Sequence, residues 1–328
     1  MNTFGRIFKV TIYGSSHGLS LGVIIDGMPE GFKFNLDELK KEIKLRNPNI
    51  VGTTPRKEED EPLIRSGIYN DYTTGDPINI EFINKNRINS YDFVLDTPRP
   101  GHGDFVRRVK FKGYNEYMGG GSTSGRMTLC LVVAGFFAKN YLKYKFDTNL
   151  IQVGTFTDIS NKEKLEEYLN SIKEDSVGGI IESKISNIEI GLGEPFFDSV
   201  ESVLSHLIFS IPGVKGIEFG IGFKGINLLG SSFNDVFITK EGKTKTNNNG
   251  GINSGITNGN ELVVRVFLKP TSSILKPQTT YNFKTNKLEE IRIPGRHDKC
   301  FALRSNIIIE NTIAIGLMDL YLLNKLHK

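Results

Sequence analysis

The sequence predicts an α+β fold in which helices and antiparallel strands mix through one domain, residues 1–328. Three observations carry this. No linker or shift of composition divides the chain. Short period-two apolar runs closed by glycine and turn residues recur along it and read as strands. Between them lie capped amphipathic segments and one run, TLCLVVAGFFAKNYL, that is apolar nearly all round and so belongs in the middle of a core.

Taken in order, RIFKVTIY (6–13) alternates apolar and polar residues, and LGVIIDG (21–27) is a short apolar run closed by glycine, so both predict strands. Asn35 and Glu38 form a capping-box pattern ahead of Leu36, Leu39 and Ile43, which predicts the first helix. Residues 47–62 carry no periodicity and three prolines and read as a surface loop. Strands are expected at 63–69 and 78–83, with the turn-rich NDYTTGDP between them, followed by a polar stretch and the irregular TPRPGHGDF (97–105). The apolar helix is expected to start near Ser122–Ser124. Ser160 with Glu163 and Asp198 with Glu201 predict two further capping boxes. VKGIEFGIGF and ELVVRVFLKP then read as strands on either side of an Asn/Gly-rich connection, and a long apolar-periodic helix is expected over 304–326. A faint echo between GVIIDGMPEGFKFNLDELKKEI and GGIIESKISNIEIGLGEPFFDSVESVLSHL, each running from strand through glycine to capped helix, hints at an internal duplication.

Composition narrows the function classes. The formal charge of +4 arises from 41 basic and 37 acidic residues spread along the chain, which argues against a basic nucleic-acid face. No window approaches about 18 uninterrupted apolar residues, and the opening MNTFGRIFKV lacks an apolar leader, so a cytoplasmic protein without membrane or nucleic-acid partners is expected. Cys130 in an apolar run and Cys300 beside charges offer neither metal-ligand spacing nor a disulfide framework.

Three of the five histidines sit in Gly-, Ser- and Arg-rich surroundings: His17 in YGSSHG, His102 in PRPGHGDF and His297 in PGRHD. Glycine beside a polar side chain lets backbone approach a ligand closely, which an ordinary surface histidine does not need. His206, within a helix, and His327, at the terminus, read as packing and solvated residues. GGGSTSGR (119–126) at a helix start resembles a phosphate cradle, because unsatisfied N–H groups and the helix dipole favour anions there. KPTSS (269–273) adds a cation and three hydroxyls after a strand, and Arg46, Arg56, Arg99, Arg126 and Arg296 add further positive charge. Asp298 either pairs with Arg296 or serves as an acid or base. From the residues alone, the chain reads as an enzyme of phosphorylated ligands with His17, His102 and Asp298 as candidates for proton transfer.

Motifs across the whole chain resemble the chorismate synthases. GSSHGLSLGVIIDGMP, GGGSTSGRMTLCLVVAG and GRHDKCFALRSNIIIENT resemble the family's three signatures. TTPRKEEDE, SGIYNDYTTGDPI, PRPGHGDF, SIPGVKGIEFGIGF, GGINSGITNG, KPTSSI and PQTT fall between them in the family's order. The resemblance implies long helices sandwiched between antiparallel sheets and assembly as a homotetramer. It implies conversion of 5-enolpyruvylshikimate 3-phosphate to chorismate, an anti-1,4-elimination of phosphate that closes the shikimate pathway and requires reduced FMN without net redox change.

By the same resemblance His17 donates a proton toward the departing phosphate, His102 protonates the reduced flavin, and Asp298 assists proton transfer at flavin N5. FMN contacts are implied at Ser122, Thr123, Ser124, Pro212, Gly213, Ser254, Lys269, Pro270, Thr271, Ser272, Ser273 and Arg296. Arg46 matches an arginine that contacts a nicotinamide nucleotide in some relatives, and Arg56, Arg99 and Arg126 are expected at the substrate. Where the family usually has an arginine this chain has Ser122; Ser15 and Gly52 also depart from the pattern. Two alternatives follow: an enzyme that also reduces FMN with NADPH, and a non-catalytic flavin-binding relative. The retention of His17, His102 and Asp298 weighs against the second.

Overall fold

The computed structural model describes residues 2–47, 50–53, 60–85, 93–295 and 297–326. In chain order it begins with β1 (Thr3–Phe4), β2 (Lys9–Gly14), β3 (Ser20–Asp26) and helix α1 (Leu36–Lys44). It continues through β4 (Leu63–Ser66), the short pair β5 (Ile68–Tyr69) and β6 (Tyr72–Thr73), and β7 (Ile78–Ile83). Strands β1-β2-β3-β7-β4 pair in that order as one antiparallel sheet, with Ile12 opposite Val23 and Val23 opposite Ile80. Helices α2 (Phe93–Asp96) and α3 (Asp104–Lys110) lead into the apolar α4 (Thr128–Leu142).

The second half runs β8 (Lys145–Val153), α5 (Lys162–Ser171), β9 (Gly179–Ser186), α6 (Val200–Ile208), β10 (Val214–Phe219) and a single turn α7 (Gly230–Phe233). The hairpin β11 (Ile252–Asn253) and β12 (Ile256–Thr257), strand β13 (Leu262–Leu268), the hairpin β14 (Gln278–Asn282) and β15 (Lys287–Ile291), and α8 (Asn306–Leu326) complete it. Strands β10-β13-β9-β8 form the second antiparallel sheet. Along β9, Ile181, Ser183 and Ile185 face inward while Ile180, Glu182 and Lys184 are half-buried, the period-two signature of a sheet with one covered face.

Between the sheets lie the two long helices. α4 packs on β3, α8 on β8 and β9, and the two helices pack on each other, so the predicted sandwich is the observed fold. Every residue of α4 from Thr128 to Ala138 is buried, as a helix apolar all round requires. α8 is long and apolar enough to span a bilayer, but 72% of its most apolar window is buried inside the molecule, and it serves as a core helix. The sequence echo has a spatial counterpart. β3 leads to α1 capped by Asn35, β9 to α6 capped by Ser199, and α1 packs on α4 as α6 packs on α8.

Several boundaries differ from the sequence expectation, each for a local reason. The strand expected over 6–13 begins only at Lys9, because the backbone N–H groups of Arg6, Ile7 and Phe8 donate to the buried Asp319 carboxylate instead of a ladder. The run 63–69 splits at Gly67, whose φ of +81° breaks the strand, and the turn segment after it carries β6. α4 starts at Thr128 rather than near Ser122–Ser124; Gly119 and Gly121 at positive φ set up 3-10 turns at Gly121–Thr123 and Gly125–Met127, which precede the helix. α5 is capped by Asn161, which accepts from the Lys164 N–H, while Ser160 donates to Asp158. α6 is capped by Ser199, because Asp198 pairs with Arg6. The last helix begins at Asn306 after a 3-10 turn, Phe301–Arg304. α3, β8 and the β14–β15 hairpin were not predicted. Of the loop over 47–62, residues 48–49 and 54–59 lie outside the described residues, as does His327.

Candidate active site

A cavity of about 430 Å³ opens where the 3-10 turns that precede α4 and α8 meet the loops of both halves. His17, His102, Arg46, Arg99, Arg126, Thr123, Ser124, Pro212, Gly213, Lys269, Pro270, Thr271, Ser272, Ser273 and Asp298, all singled out from sequence, line it. A second cavity of about 500 Å³ adjoins it across Thr123, Pro212, Gly213 and Lys269; its walls are largely apolar, and Ser122 lies there rather than in the first. Volumes of this size accommodate small organic ligands. Ser254 stands apart from both cavities, at the turn of the β11–β12 hairpin with φ +52°. Arg56 and Arg296 lie outside the described residues.

His17 sits in the β2–β3 turn. Asn84 braces that turn by donating to the carbonyls of Ser15 (2.9 Å) and Gly18 (3.0 Å), and the Ser16 N–H donates to the Gly121 carbonyl. The imidazole is 7% exposed and its Nδ1 lies 3.0 Å from Ser16 Oγ. A Cβ on Gly119 would come within 2.5 Å of the His17 ring, so only glycine lets the 119–126 loop pass this close. That loop is held from beneath by Arg107 of α3, which donates to the carbonyls of Gly120 and Glu116 at 2.8 Å each.

His102 lies just before α3 in a knot of charge. Arg99 grips Asp104 with Nε to Oδ2 and Nη2 to Oδ1, both at 2.8 Å, and His102 Nδ1 stands 2.7 Å from Asp104 Oδ1. Arg99 also donates to the Gly119 carbonyl (3.0 Å) and so joins the His102 loop to the glycine loop beside His17. From the other half, Lys269 Nζ and Ser272 Oγ both donate to the Gly101 carbonyl, at 2.7 and 2.8 Å, which docks the KPTSS segment against the same loop. Burial, with the nearby charge of Lys215, pushes the Lys269 ammonium down from its usual range.

The remaining arginines are paired. Arg46 and Arg126 share Asp60, at 3.3 and 2.9 Å, and Arg46 also donates to Thr128 Oγ1 at the entry to α4. Burial pulls the Arg46 guanidinium down to about 10, against the pull of Asp60. Asp298, 8% exposed, pairs with Arg304 at 2.7 Å. Arg304 also lies over the Phe301 ring. Burial, followed by the charge of Arg99, lowers His297 below the usual imidazole range, against hydrogen bonding to the Ile293 carbonyl. Among the described residues five cations (Arg46, Arg99, Arg126, Lys269 and Arg304) therefore line the cavity against Asp60 and Asp298, an environment suited to a polyanion.

Asp60, Asp104, Arg107 and Arg304 were missed from the sequence. Only Asp104 had a local signal, two residues beyond His102 in PRPGHGDF. Cys130 and Cys300 are both buried and free, and burial pushes their thiols up to about 12 and about 11, so neither is poised as a nucleophile.

The residues fit a flavin mononucleotide beside an anionic substrate. Thr271 Oγ1 is buried in the cavity wall with no hydrogen-bond partner among the described residues, a hydroxyl a ligand could satisfy. Gly213, at φ +93°, presents bare backbone where the two cavities adjoin, and Thr123, Ser124, Ser272 and Lys269 supply donors beside apolar walls.

Comparison with known proteins identifies the family. A family model described as chorismate synthase matches residues 8–322. A chorismate synthase of Chitinophaga pinensis is 47% identical over 99% of this chain and 98% of its own length, and one of Pyrococcus abyssi is 41% identical over 96% of each. A solved crystal structure of chorismate synthase superposes with a TM-score of 0.76 over 98% of this chain and 93% of that one, at 22% identity, a match of fold. The chain belongs to the chorismate synthase family.

Proposed function

We propose that this enzyme forms chorismate from 5-enolpyruvylshikimate 3-phosphate by anti-1,4-elimination, with reduced FMN required and no net redox change. The observation that carries the reading is the convergence of two histidines from separate loops, His17 and His102, on one cationic cavity beside the turns that lead into α4 and α8. In the reaction the ring C–O bond breaks and phosphate leaves with its electron pair, while a ring C–H bond is lost and a conjugated diene forms. When bound, reduced FMN supplies an electron-rich ring that stabilises an electron-poor allylic species.

The chain's own residues bind, orient and protonate. Arg99 and Arg126, which line the cavity, would supply countercharge to the substrate's phosphate and carboxylates. His17, engaged at Nδ1 by Ser16, would give its proton to the departing phosphate through Nε2. His102 holds a proton for the reduced cofactor, and Asp298, braced by Arg304, lies close enough to the same cavity to assist proton movement. Thr123, Ser124, Pro212, Gly213 and the Lys269–Ser273 segment would hold FMN across the junction of the two cavities, with Ser122 on its second side.

Arg46 lines the same cavity beside Asp60 and Thr128, and the alternative in which NADPH reduces the flavin is tested by NADPH-driven turnover in air without added reductant. The exposed apolar residues Phe223, Ile226, Leu229 and Phe237 offer a surface for assembly as a homotetramer in the cytoplasm. Incubating the chain with 5-enolpyruvylshikimate 3-phosphate and chemically reduced FMN should release chorismate and phosphate in equal amounts; phosphate without chorismate would contradict the elimination.

A further inference from the structure

We propose that Asp104 is the positioning residue that fixes the tautomer of His102, committing Nδ1–H to the carboxylate so that the ring serves the cavity through Nε2. The inference rests on the reading of His102 as the group that hands a proton to the reduced cofactor: with Nδ1–H held by the carboxylate, Nε2 is the nitrogen that takes up a proton and, from the imidazolium, passes it on.

The argument starts from hydrogen-bond capacity. Asp104 Oδ2 accepts from the Arg99 backbone N–H at 3.1 Å and from Arg99 Nε at 2.8 Å, and Oδ1 faces Arg99 Nη2 at 2.8 Å and His102 Nδ1 at 2.7 Å. The Arg99 and Asp104 side chains are only 5% and 4% exposed, whereas His102 is 22% exposed toward the cavity. Burial alone would raise the Asp104 carboxyl, but hydrogen bonds from Arg99 and His102, and their charges, hold it well below the usual carboxylate range. An ionised carboxylate can only accept, so the nitrogen 2.7 Å away must carry a proton.

Arg99 Nη2 also lies 3.0 Å from His102 Nδ1. A guanidinium only donates, so this proximity is two donors converging on one oxygen. The opposite tautomer would place an Nδ1 lone pair against Oδ1 and leave the buried carboxylate one donor short. Orienting a ring through the nitrogen that does not react is a general device for setting histidine chemistry.

Replacing the carboxylate by an amide shows what the oxygen does. In Asp104→Asn the two Arg99 donors at Oδ2 hold the amide oxygen in that position, so the amide nitrogen takes the place of Oδ1 and points its hydrogens at His102. Nδ1 must then accept, and the proton moves to Nε2. Besides Arg99 and Asp104, the charged and titratable groups among the described residues are Arg107 of α3, which lies within electrostatic reach of Asp104 and Arg99, and, lining the same cavity, Lys269, His17, His297, Asp298, Arg46, Asp60, Arg126 and Arg304, and Asp104→Asn removes none of them.

Neutron diffraction from perdeuterated crystals of the full chain, at about pH 8 where an ordinary imidazole is neutral, tests this directly. The wild type should carry deuterium on Nδ1 of His102, and Asp104→Asn on Nε2. In the variant kcat for chorismate formation should fall about 10² to 10⁴-fold, because the amide no longer holds Nδ1–H or offsets the imidazolium charge and the Nε2–H of a neutral ring is too weak an acid to give up, with KM within about threefold of wild type. A wild-type map with Nδ1 bare, or an Asp104→Asn enzyme turning over within threefold of wild type, would overturn the proposal. If the variant fails to fold, the wild-type map alone decides. Failure of the proposed function reads differently: the wild type would give no chorismate with reduced FMN, while the proton map would still report on Asp104.

Discussion

Gly135 of α4 lies directly against Asn311 of α8, so close that a Cβ on Gly135 would fall inside the van der Waals envelope of the Asn311 Cβ and carbonyl oxygen. The two core helices cross at this point, and their crossing sets the distance between the helix ends that frame the cavity. Gly135→Ala should force them apart and cost about 1–3 kcal/mol, the usual penalty of overpacking. A thermal melt showing a lowered Tm, with reduced FMN affinity, is the expected outcome; an unchanged Tm would show that the crossing can relax.

Asp319, also on α8, carries the N-terminal segment. Its carboxylate accepts four backbone hydrogen bonds, of 2.8 to 3.1 Å, from Arg6, Ile7 and Phe8. Asp319→Ala leaves these donors without their acceptor and should destabilise the fold by about 2–4 kcal/mol. Urea denaturation of the variant checks this, and a midpoint equal to wild type would contradict it.

His17→Ala and His102→Ala should each lower turnover by about 10² to 10⁴-fold and leave the circular dichroism spectrum unchanged. Rates close to wild type in both variants would remove the proton-transfer roles.

Acid should weaken the loop that holds His102. The folded-state pKa of Asp104 is depressed, so its contribution to stability is complete above the unfolded carboxyl value of about 3.9 and is lost as pH falls through the lower folded value. The stability difference between wild type and Asp104→Asn, measured by urea denaturation, should be largest near neutrality and shrink as pH is taken below about 4. A difference that grows on acidification would contradict the assignment.

The fold was legible where one local rule decides the structure. The all-apolar run of α4, the Asn35 cap and the alternating strands of the first sheet each followed from spacing alone. The caps at α5 and α6 moved by one residue because Ser160 and Asn161, or Asp198 and Ser199, are equally competent, and distant partners such as Arg6 choose between them. α3 was hidden because seven residues give too little periodicity, and β8 because it is an edge strand with its outer residues in solvent.

The candidate site divides the same way. His17 and His102 were visible through their glycines, and the KPTSS segment through its hydroxyls. Asp60 and Arg304 act through partners that only folding brings near, Arg46 and Arg126 for one and Asp298 with the Phe301 ring for the other.

The most direct test of the account is anaerobic chorismate formation from 5-enolpyruvylshikimate 3-phosphate, with reduced FMN in one arm and oxidised FMN in the other. The account predicts many chorismates per flavin in the reduced arm, no consumption of reductant, and no product in the oxidised arm. Binding of FMN without product in either arm, or equal product in both, would contradict it.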